Sequence, residues 1–278
     1  MNRFLKISIL GIFVWLTFAS CSKEYKKYTQ WSRKGTISQK DSAAFYFYKR
    51  GEYDKASYLL EELRATYRGS ERAKTVLYHY AYSKYNSGFY ILGAHYFEQF
   101  TQLYPNDDLT SECTFMIGYC YYLESDPFYL DQNYSIKAIN QFQLFINTYP
   151  FSDKVDQCNE LMSSLRERLA RKEIETAKLY FNTENYKAAV TSFEVFMREY
   201  PDSRYREEAH FMLIKSAYSL AEMSISSKQK NRYLDAIEWY EDFIDKYPNS
   251  LFKRDAENTY AKSKKELGKI LATEDSAS

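Results

Sequence analysis

The chain has 278 residues, of which only 8 are glycine and 5 are proline, while 29 are tyrosine and 19 are phenylalanine. β-Sandwiches, β-barrels and doubly wound α/β folds need glycine or proline at frequent turns, so this composition argues against all three. The 38 Lys and Arg residues balance 37 Asp and Glu residues, without a polybasic block that would collect the phosphates of a nucleic acid. The composition predicts a long-helical protein packed with aromatic side chains, and no nucleic acid partner.

Residues 1–20 have the pattern of an export signal. Arg3 and Lys6 precede an apolar run over residues 7–18, and small residues lead into Cys21. This run is about 12 residues long, whereas a membrane-spanning helix needs about 20. The segment resembles a bacterial lipoprotein signal, which implies cleavage before Cys21 and lipidation of that residue. Several acyl chains would anchor the mature chain to a membrane without crossing it.

The residues after Cys21 bear on where the anchored protein resides. Ser22 occupies the position at which, by the same resemblance, an aspartate would retain the lipoprotein in the inner membrane. This favours the outer membrane, with the folded part facing the periplasm. Up to residue 36 the chain is rich in Lys, Ser, Thr and Tyr without apolar periodicity, so residues 21–36 are predicted to form a flexible tether.

A repeated pattern organises the chain after the tether. Four of the five prolines follow a tyrosine, and these Tyr-Pro pairs lie 45, 51 and 47 residues apart. Eleven residues before each tyrosine is a small residue, with large apolar residues four and seven positions after it. Including a first copy in which Arg68 replaces proline, the positions are Ala56, Leu60 and Leu63; Gly93, Phe97 and Phe100; Ala138, Phe142 and Phe145; Ala189, Phe193 and Phe196; and Ala236, Tyr240 and Phe243. These offsets predict one buried helical face per copy, ended by the proline.

Each of these helices follows another amphipathic helix with its own small residue. The small residues of the preceding helices are Ala44, Ala81, Gly118, Ala177 and Ala217. In the fourth copy the pattern resembles the tetratricopeptide repeat, through Ala177, Tyr180, Tyr186, Ala189, Phe193, Phe196 and Pro201. We therefore predict an all-α solenoid of about five tetratricopeptide-type helix pairs with a C-terminal capping helix.

The spacing also predicts the domain organisation. Repeats 1–3 are expected over residues 37–150, a long helix with repeats 4 and 5 over 151–248, and a capping helix with a disordered tail over 249–278. Repeats 3 and 5 carry extra residues, in Glu124–Asn133 and Glu222–Arg232, which we predict to be longer loops and candidate contact sites.

No motif for catalysis, metal binding or cofactor binding is recognisable. A Gly-rich phosphate loop, a nucleophile elbow and paired metal-ligating histidines are all missing from the sequence. Cys113 and Cys120 would lie about 10 Å apart on one helix, too far for a disulfide. With Cys158 they are predicted to be small buried apolar residues. We expect a protein that is not an enzyme and holds no metal or cofactor.

The first helices of repeats 1–3 are predicted to carry an aromatic ladder. In tetratricopeptide stacks, positions one and four after the small residue of the first helix tend to face a ligand. Here these positions are Phe45 and Tyr48, Tyr82 and Tyr85, and Tyr119 and Tyr122. Such rings could stack on and hydrogen-bond an extended peptide, although packing between helices and glycan binding are alternatives.

The combination of signal, repeats and long helix resembles the BamD (YfiO) family of lipoproteins in the outer-membrane β-barrel assembly machinery. The residues that carry this resemblance run from Tyr149-Pro150-Phe151-Ser152 through Leu165-Arg166-Glu167-Arg168-Leu169-Ala170 and Tyr186-Lys187-Ala188-Ala189 to Tyr200-Pro201-Asp202-Ser203. The resemblance implies that the N-terminal repeats receive the C-terminal strand of unfolded barrel proteins. It also implies that the C-terminal repeats dock the central barrel component, alongside other assembly lipoproteins.

Two other functions fit the same features. One is another envelope scaffold of this repeat class, which would coordinate cell-wall synthesis or division. The other is a glycan-binding surface lipoprotein, in which the aromatic ladder would form the sugar platform.

Overall fold

The computed structural model describes residues 23–277, so the signal and Cys21 lie outside the described residues. Residues 23–34 are helical, and eleven further helices follow in this part of the chain. They are α1 (Ile37–Lys49), α2 (Tyr53–Thr66), α3 (Arg72–Asn86), α4 (Tyr90–Leu103), α5 (Thr110–Glu124), α6 (Asn133–Thr148), α7 (Val155–Asn182), α8 (Tyr186–Glu199), α9 (Arg206–Glu222), α10 (Ser226–Lys246) and α11 (Lys253–Ala277). The prediction of an all-α fold built from helical hairpins is confirmed.

The described residues form two compact units. The first comprises residues 23–125 and 133–162, and the second comprises residues 126–132 and 163–277. In the first unit, α1 to α6 form three hairpins in which each helix packs on the next. In the second, the C-terminal half of α7 pairs with α8 around Ala177 and Phe193, and α9, α10 and α11 pack together. The boundary between the units falls within α7, whereas the sequence pattern placed it at residue 150.

The repeat pattern forms the core of both units. Every large residue of the pattern is almost completely buried except Tyr240, which is half-buried and stacks on Tyr260 of α11 at 4.3 Å between ring centroids. The small positions allow close helix contact. A Cβ atom on Gly118 would lie 2.8 Å from Phe142 ring carbons, and one on Gly93 would lie 3.3 Å from the Tyr85 backbone nitrogen.

The tyrosine of each Tyr-Pro pair ends a helix as predicted. The backbone N–H groups of Tyr104, Tyr149, Tyr200 and Tyr247 each donate to the carbonyl four residues earlier, at 2.8–2.9 Å. The three tyrosines whose dihedral angles are described have φ of −125° to −130° and ψ of 58° to 61°, outside the helical region. The following proline excludes the helical conformation at the tyrosine, so the chain turns there into the next hairpin.

Residues 23–34 differ from the predicted flexible tether. They form a helix whose Tyr25, Tyr28 and Trp31 pack against the core of the first hairpin. Tyr28 stacks on Tyr46 of α1 at 4.0 Å between ring centroids, and Tyr25 meets Phe47 edge-on at 6.0 Å. Tyr25, Tyr28 and Trp31 form the apolar face of this helix. The tether prediction missed this face because most residues of the segment are polar.

The two inserted segments have different structures. Residues 125–132 form a connection without regular helix, and Lys172 Nζ and Arg168 Nη1 donate to its Leu130 and Asp126 carbonyl oxygens at 2.7 and 3.1 Å. The prediction of a longer loop in repeat 5 is wrong. Only residues 223–225 connect α9 to α10, because the polar, glycine-free sequence from Ser226 onward extends α10 towards its N-terminus.

The C-terminal and cysteine predictions are mostly met. The capping helix α11 packs on α10 and buries Ala256, but it continues to Ala277, where a disordered tail was predicted. Cys113, Cys120 and Cys158 are free and buried, as expected of small core residues. Burial raises the pKa of the Cys120 thiol to about 12 and that of Cys158 to about 11, so both are inert thiols.

Candidate peptide-binding surface

The first helices of the three hairpins in the first unit present a row of aromatic side chains. All six residues of the predicted aromatic ladder are half-buried, in pairs on α1, α3 and α5: Phe45 and Tyr48, Tyr82 and Tyr85, and Tyr119 and Tyr122. Each pair follows a buried small residue by one and four positions, so its rings flank the stripe that packs against the second helix. They are neither enclosed core residues nor freely solvated ones.

A histidine joins the rings of α1 to those of α3. The His79 ring lies 4.8 Å from the Phe45 ring and 4.8 Å from the Tyr48 ring, centroid to centroid. Its Nδ1 is 2.8 Å from the Thr75 carbonyl oxygen, so Nδ1 carries the proton and donates. Burial lowers the pKa of His79, and nearby Arg72 lowers it further. The ring is therefore neutral and serves as one more flat apolar face.

A carboxylate on α5 fixes two tyrosines of α3. Tyr78 donates its hydroxyl to Glu112 Oε2 at 3.1 Å, and Tyr82 donates to Glu112 Oε1. Burial, together with the Glu112 carboxylate, raises the pKa of both phenols above the usual value. Both stay protonated and hold the Glu112 carboxylate between them, which locks the orientation of the Tyr82 ring.

Three rings stack along α5. Phe115, Tyr119 and Tyr122 follow each other at centroid distances of 5.8 and 6.0 Å, with interplanar angles of 16° in both steps. Tyr85 of α3 approaches Tyr119 at 6.3 Å, which makes the row continuous from α3 to α5. Among the described residues, none forms a hydrogen bond with the hydroxyls of Tyr85, Tyr119 or Tyr122, so these groups are available to a ligand.

Cations lie beside the outer rings of this row. The Arg72 guanidinium lies 4.5 Å from the Phe45 ring centroid and pairs with Asp41 at 2.9 Å. The Lys154 ammonium lies 4.7 Å from the Phe115 ring centroid. The predicted ladder together with Tyr78 and His79, and with the buried Phe115 on which Tyr119 stacks, is called the aromatic surface below. This surface combines apolar ring faces, phenol hydroxyls that can donate to a ligand, the Glu112 carboxylate already bonded by two tyrosines, and flanking cations.

The sequence pattern named the six ladder residues, whose binding role stays a prediction, but did not name Tyr78, His79, Phe115 and Glu112. A signal for two of them was present. Tyr78 and Phe115 lie three residues before the small residues Ala81 and Gly118, one helical turn back along the same stripe. His79 and Glu112 lie off this stripe, and only the approach of neighbouring helices brings them to the rings.

The described residues contain no group of three His, Cys, Asp or Glu side chains arranged to hold a metal ion. Within the same residues, no helix combines the length and apolar character required to cross a bilayer.

Comparison with known proteins gives consistent matches. The model of the YfiO family, described as "Outer membrane lipoprotein", matches residues 38–195 and 181–273. Three curated relatives are each named "Outer membrane protein assembly factor BamD". The protein of Pasteurella multocida is 24% identical over 180 residues, covering 61% of this chain and 69% of its own length. That of Caulobacter vibrioides is 20% identical over 228 residues, covering 82% and 74%. That of Vibrio cholerae is 25% identical over 189 residues, covering 64% and 74%.

Proposed function

The chain belongs to the YfiO family of outer membrane lipoproteins, and from this premise we propose that it is a non-catalytic scaffold of the machinery that assembles outer-membrane β-barrel proteins. The names of its relatives support the assembly role. Its contribution is made through protein–protein contacts, with the central barrel component and other assembly lipoproteins as partners. In this proposal Cys21 carries the lipid anchor, and the repeats face the periplasm.

The observation that carries the proposal is the continuous aromatic surface of the first unit. An unfolded barrel protein offers extended segments in which aromatic and aliphatic side chains alternate with polar ones. Ring faces such as those of Tyr119 and Tyr122 match the apolar side chains. The unoccupied hydroxyls of Tyr85, Tyr119 and Tyr122 can donate to peptide carbonyl groups. Because these rings are held by packing, little conformational entropy is lost on binding.

The flanking charges favour a segment with an acidic terminus. Lys154 lies beside Phe115 with no carboxylate of the described residues paired to its Nζ. A C-terminal carboxylate placed there would gain an ion pair in a partly desolvated site. The aromatic surface therefore suits the C-terminal strand of a barrel protein better than an uncharged glycan.

Depletion of the protein in its host tests this function. We expect the amounts of folded β-barrel proteins in the outer membrane to fall, while other lipoproteins remain at their normal level. Unchanged barrel levels after depletion would refute the proposal. Purification of the detergent-solubilised protein gives a second readout, because a peptidoglycan-synthesis enzyme in place of a barrel component would favour the cell-wall scaffold instead.

A further inference from the structure

The helical segment 23–34 has a strongly biased charge. It contains five basic residues and one acidic residue, a formal charge of +4. By contrast, residues 35–278 contain 31 Lys and Arg and 36 Asp and Glu, a formal charge of −5. The N-terminal end of the mature chain, next to the proposed lipid anchor, therefore has a net positive charge, whereas the rest has a net negative charge.

The helix gathers these charges on one side. At 3.6 residues per turn, Lys23, Lys26, Lys27 and Lys34 fall within an arc of about 100°. All four side chains are exposed, and no carboxylate of the described residues forms an ion pair with them. We call these four residues the basic face.

Packing fixes the direction of the basic face. Tyr25 and Tyr28 lie on the opposite side of the helix and contact the core of the first hairpin. Lys55 Nζ is 2.5 Å from the Tyr25 hydroxyl oxygen, and the Glu52 carboxylate accepts from both at 2.6 and 3.3 Å. At the other end Thr36 forms a capping box with Gln39, so only residues 35 and 36 separate the segment from the start of α1. The lysines consequently face away from the repeat.

The chain places the basic face close to the anchor. Lys23 follows Cys21 by two residues, and a two-residue step of any conformation spans at most about 7 Å. An acyl chain on Cys21 therefore holds the start of this helix within a Debye length of the lipid headgroups.

We propose that the basic face binds the anionic phospholipid headgroups of the membrane in which Cys21 is anchored, as a second, electrostatic membrane contact. Lysines near an anionic surface each strengthen binding, and a lipid anchor combined with a basic patch holds more firmly than either alone. Because the helix is docked on α1, this contact also sets the orientation of the first hairpin relative to the membrane. The inference rests on the proposed lipidation of Cys21 but requires no assembly partner.

The contact can be measured without the acyl anchor. The mature chain, residues 21–278 with Cys21→Ser, is floated with vesicles of one part phosphatidylglycerol to three parts phosphatidylethanolamine, or with vesicles of phosphatidylethanolamine and phosphatidylcholine. We expect binding to the anionic vesicles only, and its loss at high salt. Combining Lys23→Gln, Lys26→Gln and Lys34→Gln should weaken the binding at least tenfold. Lys27 is kept because its Nζ lies 4.4 Å from the Trp31 ring centroid.

A matched variant controls for total charge. Lys228→Gln, Lys262→Gln and Lys265→Gln remove three exposed lysines from the second unit and should leave vesicle binding unchanged. Equal losses in the two triple variants, equal binding to neutral vesicles, or no binding to anionic vesicles would each overturn the proposal. Since the assay contains no barrel protein, such a failure would not be confused with failure of the assembly function, which depletion tests.

Discussion

At the scale of single residues, the rings of the aromatic surface fall into two classes. Tyr82 is held by its bond to Glu112 and by an edge-on contact with the buried Phe97 at 4.9 Å. Of the aromatic rings in the described part of the chain, Tyr122 contacts only that of its neighbour Tyr119, and its hydroxyl stays available. Tyr82 therefore contributes to the stability of the fold as well as to the aromatic surface, whereas Tyr122 contributes mainly to the aromatic surface.

This difference predicts distinct outcomes for two alanine variants. Tyr122→Ala should weaken binding of a barrel-derived C-terminal peptide about tenfold, with an unfolding free energy within about 1 kcal/mol of the unmodified chain. Adding Tyr82→Ala should weaken peptide binding further and lower the unfolding free energy by about 2 kcal/mol. Tyr58→Ala is the control, because Tyr58 is 72% exposed and lies outside the aromatic surface. Peptide titration by fluorescence anisotropy with urea unfolding measures both quantities, and undiminished affinity in the double variant would assign these rings to packing alone.

His210 in the second unit predicts an acid-sensitive core. The ring is fully buried, its Nε2 donates to the Trp239 carbonyl oxygen at 3.1 Å, and its Nδ1 has no hydrogen-bond partner among residues 23–277. Burial lowers its pKa from 6.5 to about 4; Asp242 opposes this shift, while Lys246 and Arg206 add to it. Below pH 6.5 the unfolded chain takes up a proton that the folded chain takes up only near pH 4, so stability falls across this window.

The size of this effect follows from the pKa difference. Between pH 7 and pH 5 the free energy of unfolding should decrease by about 2 kcal/mol through His210. In His210→Phe that part of the decrease should disappear, and the variant should be less stable at pH 7 because it lacks the bond to Trp239. Urea unfolding at both pH values gives the comparison. An equal pH-dependent decrease in the two proteins would show that His210 does not cause it.

At the scale of helices, close approach at the small positions of the repeat determines the packing. Gly118 is the sharpest case, since a Cβ atom there would meet two Phe142 ring carbons at 2.8 Å, and Phe142 is fully buried. The helix propensity of alanine would favour the substitution by about 1 kcal/mol, but the ring has no free space into which it could move.

Gly118→Ala should therefore destabilise the first unit by about 1–3 kcal/mol. Gly268→Ala is the matched control, because it lies within α11 and a Cβ there would contact nothing within 4 Å. The control should be neutral or stabilising by up to about 1 kcal/mol. Thermal unfolding of the two variants measures the contrast. If both behaved alike, the small positions would have no role in helix approach.

Most of the helix arrangement could be predicted from the sequence, but not all of it. The offsets of the repeat pattern identified the hairpins and the buried residues, because one small and two large residues on a single face leave few ways to pack. The docked helix at 23–34 was missed, since Tyr25 and Tyr28 have an apolar partner only once the first hairpin is formed. The six ladder residues followed from the repeat register, whereas Glu112 reaches Tyr82 only through helix packing.

At the scale of the whole molecule, the position of the N-terminal helix determines how the proposed lipid anchor would hold the first hairpin. A flexible tether would let the aromatic surface take any orientation. A helix packed on α1 through Tyr25 and Tyr28 would couple the proposed anchor at Cys21 directly to the first hairpin. The two arrangements differ in the protection of backbone amides, which a docked helix shields and a tether does not.

Hydrogen exchange of the mature chain distinguishes these arrangements. Amides of residues 27–34 should exchange at least tenfold more slowly than in an unstructured peptide, because they are hydrogen-bonded within a helix packed against the first hairpin. Tyr25→Ala with Tyr28→Ala removes the contacts to Phe47 and Tyr46, so this protection should disappear while α5 and α6 keep theirs. Tyr129→Ala, at a side chain 67% exposed, should change neither region. Unprotected amides at 27–34 in the unmodified chain would support the flexible tether, and the basic face would then have no fixed direction.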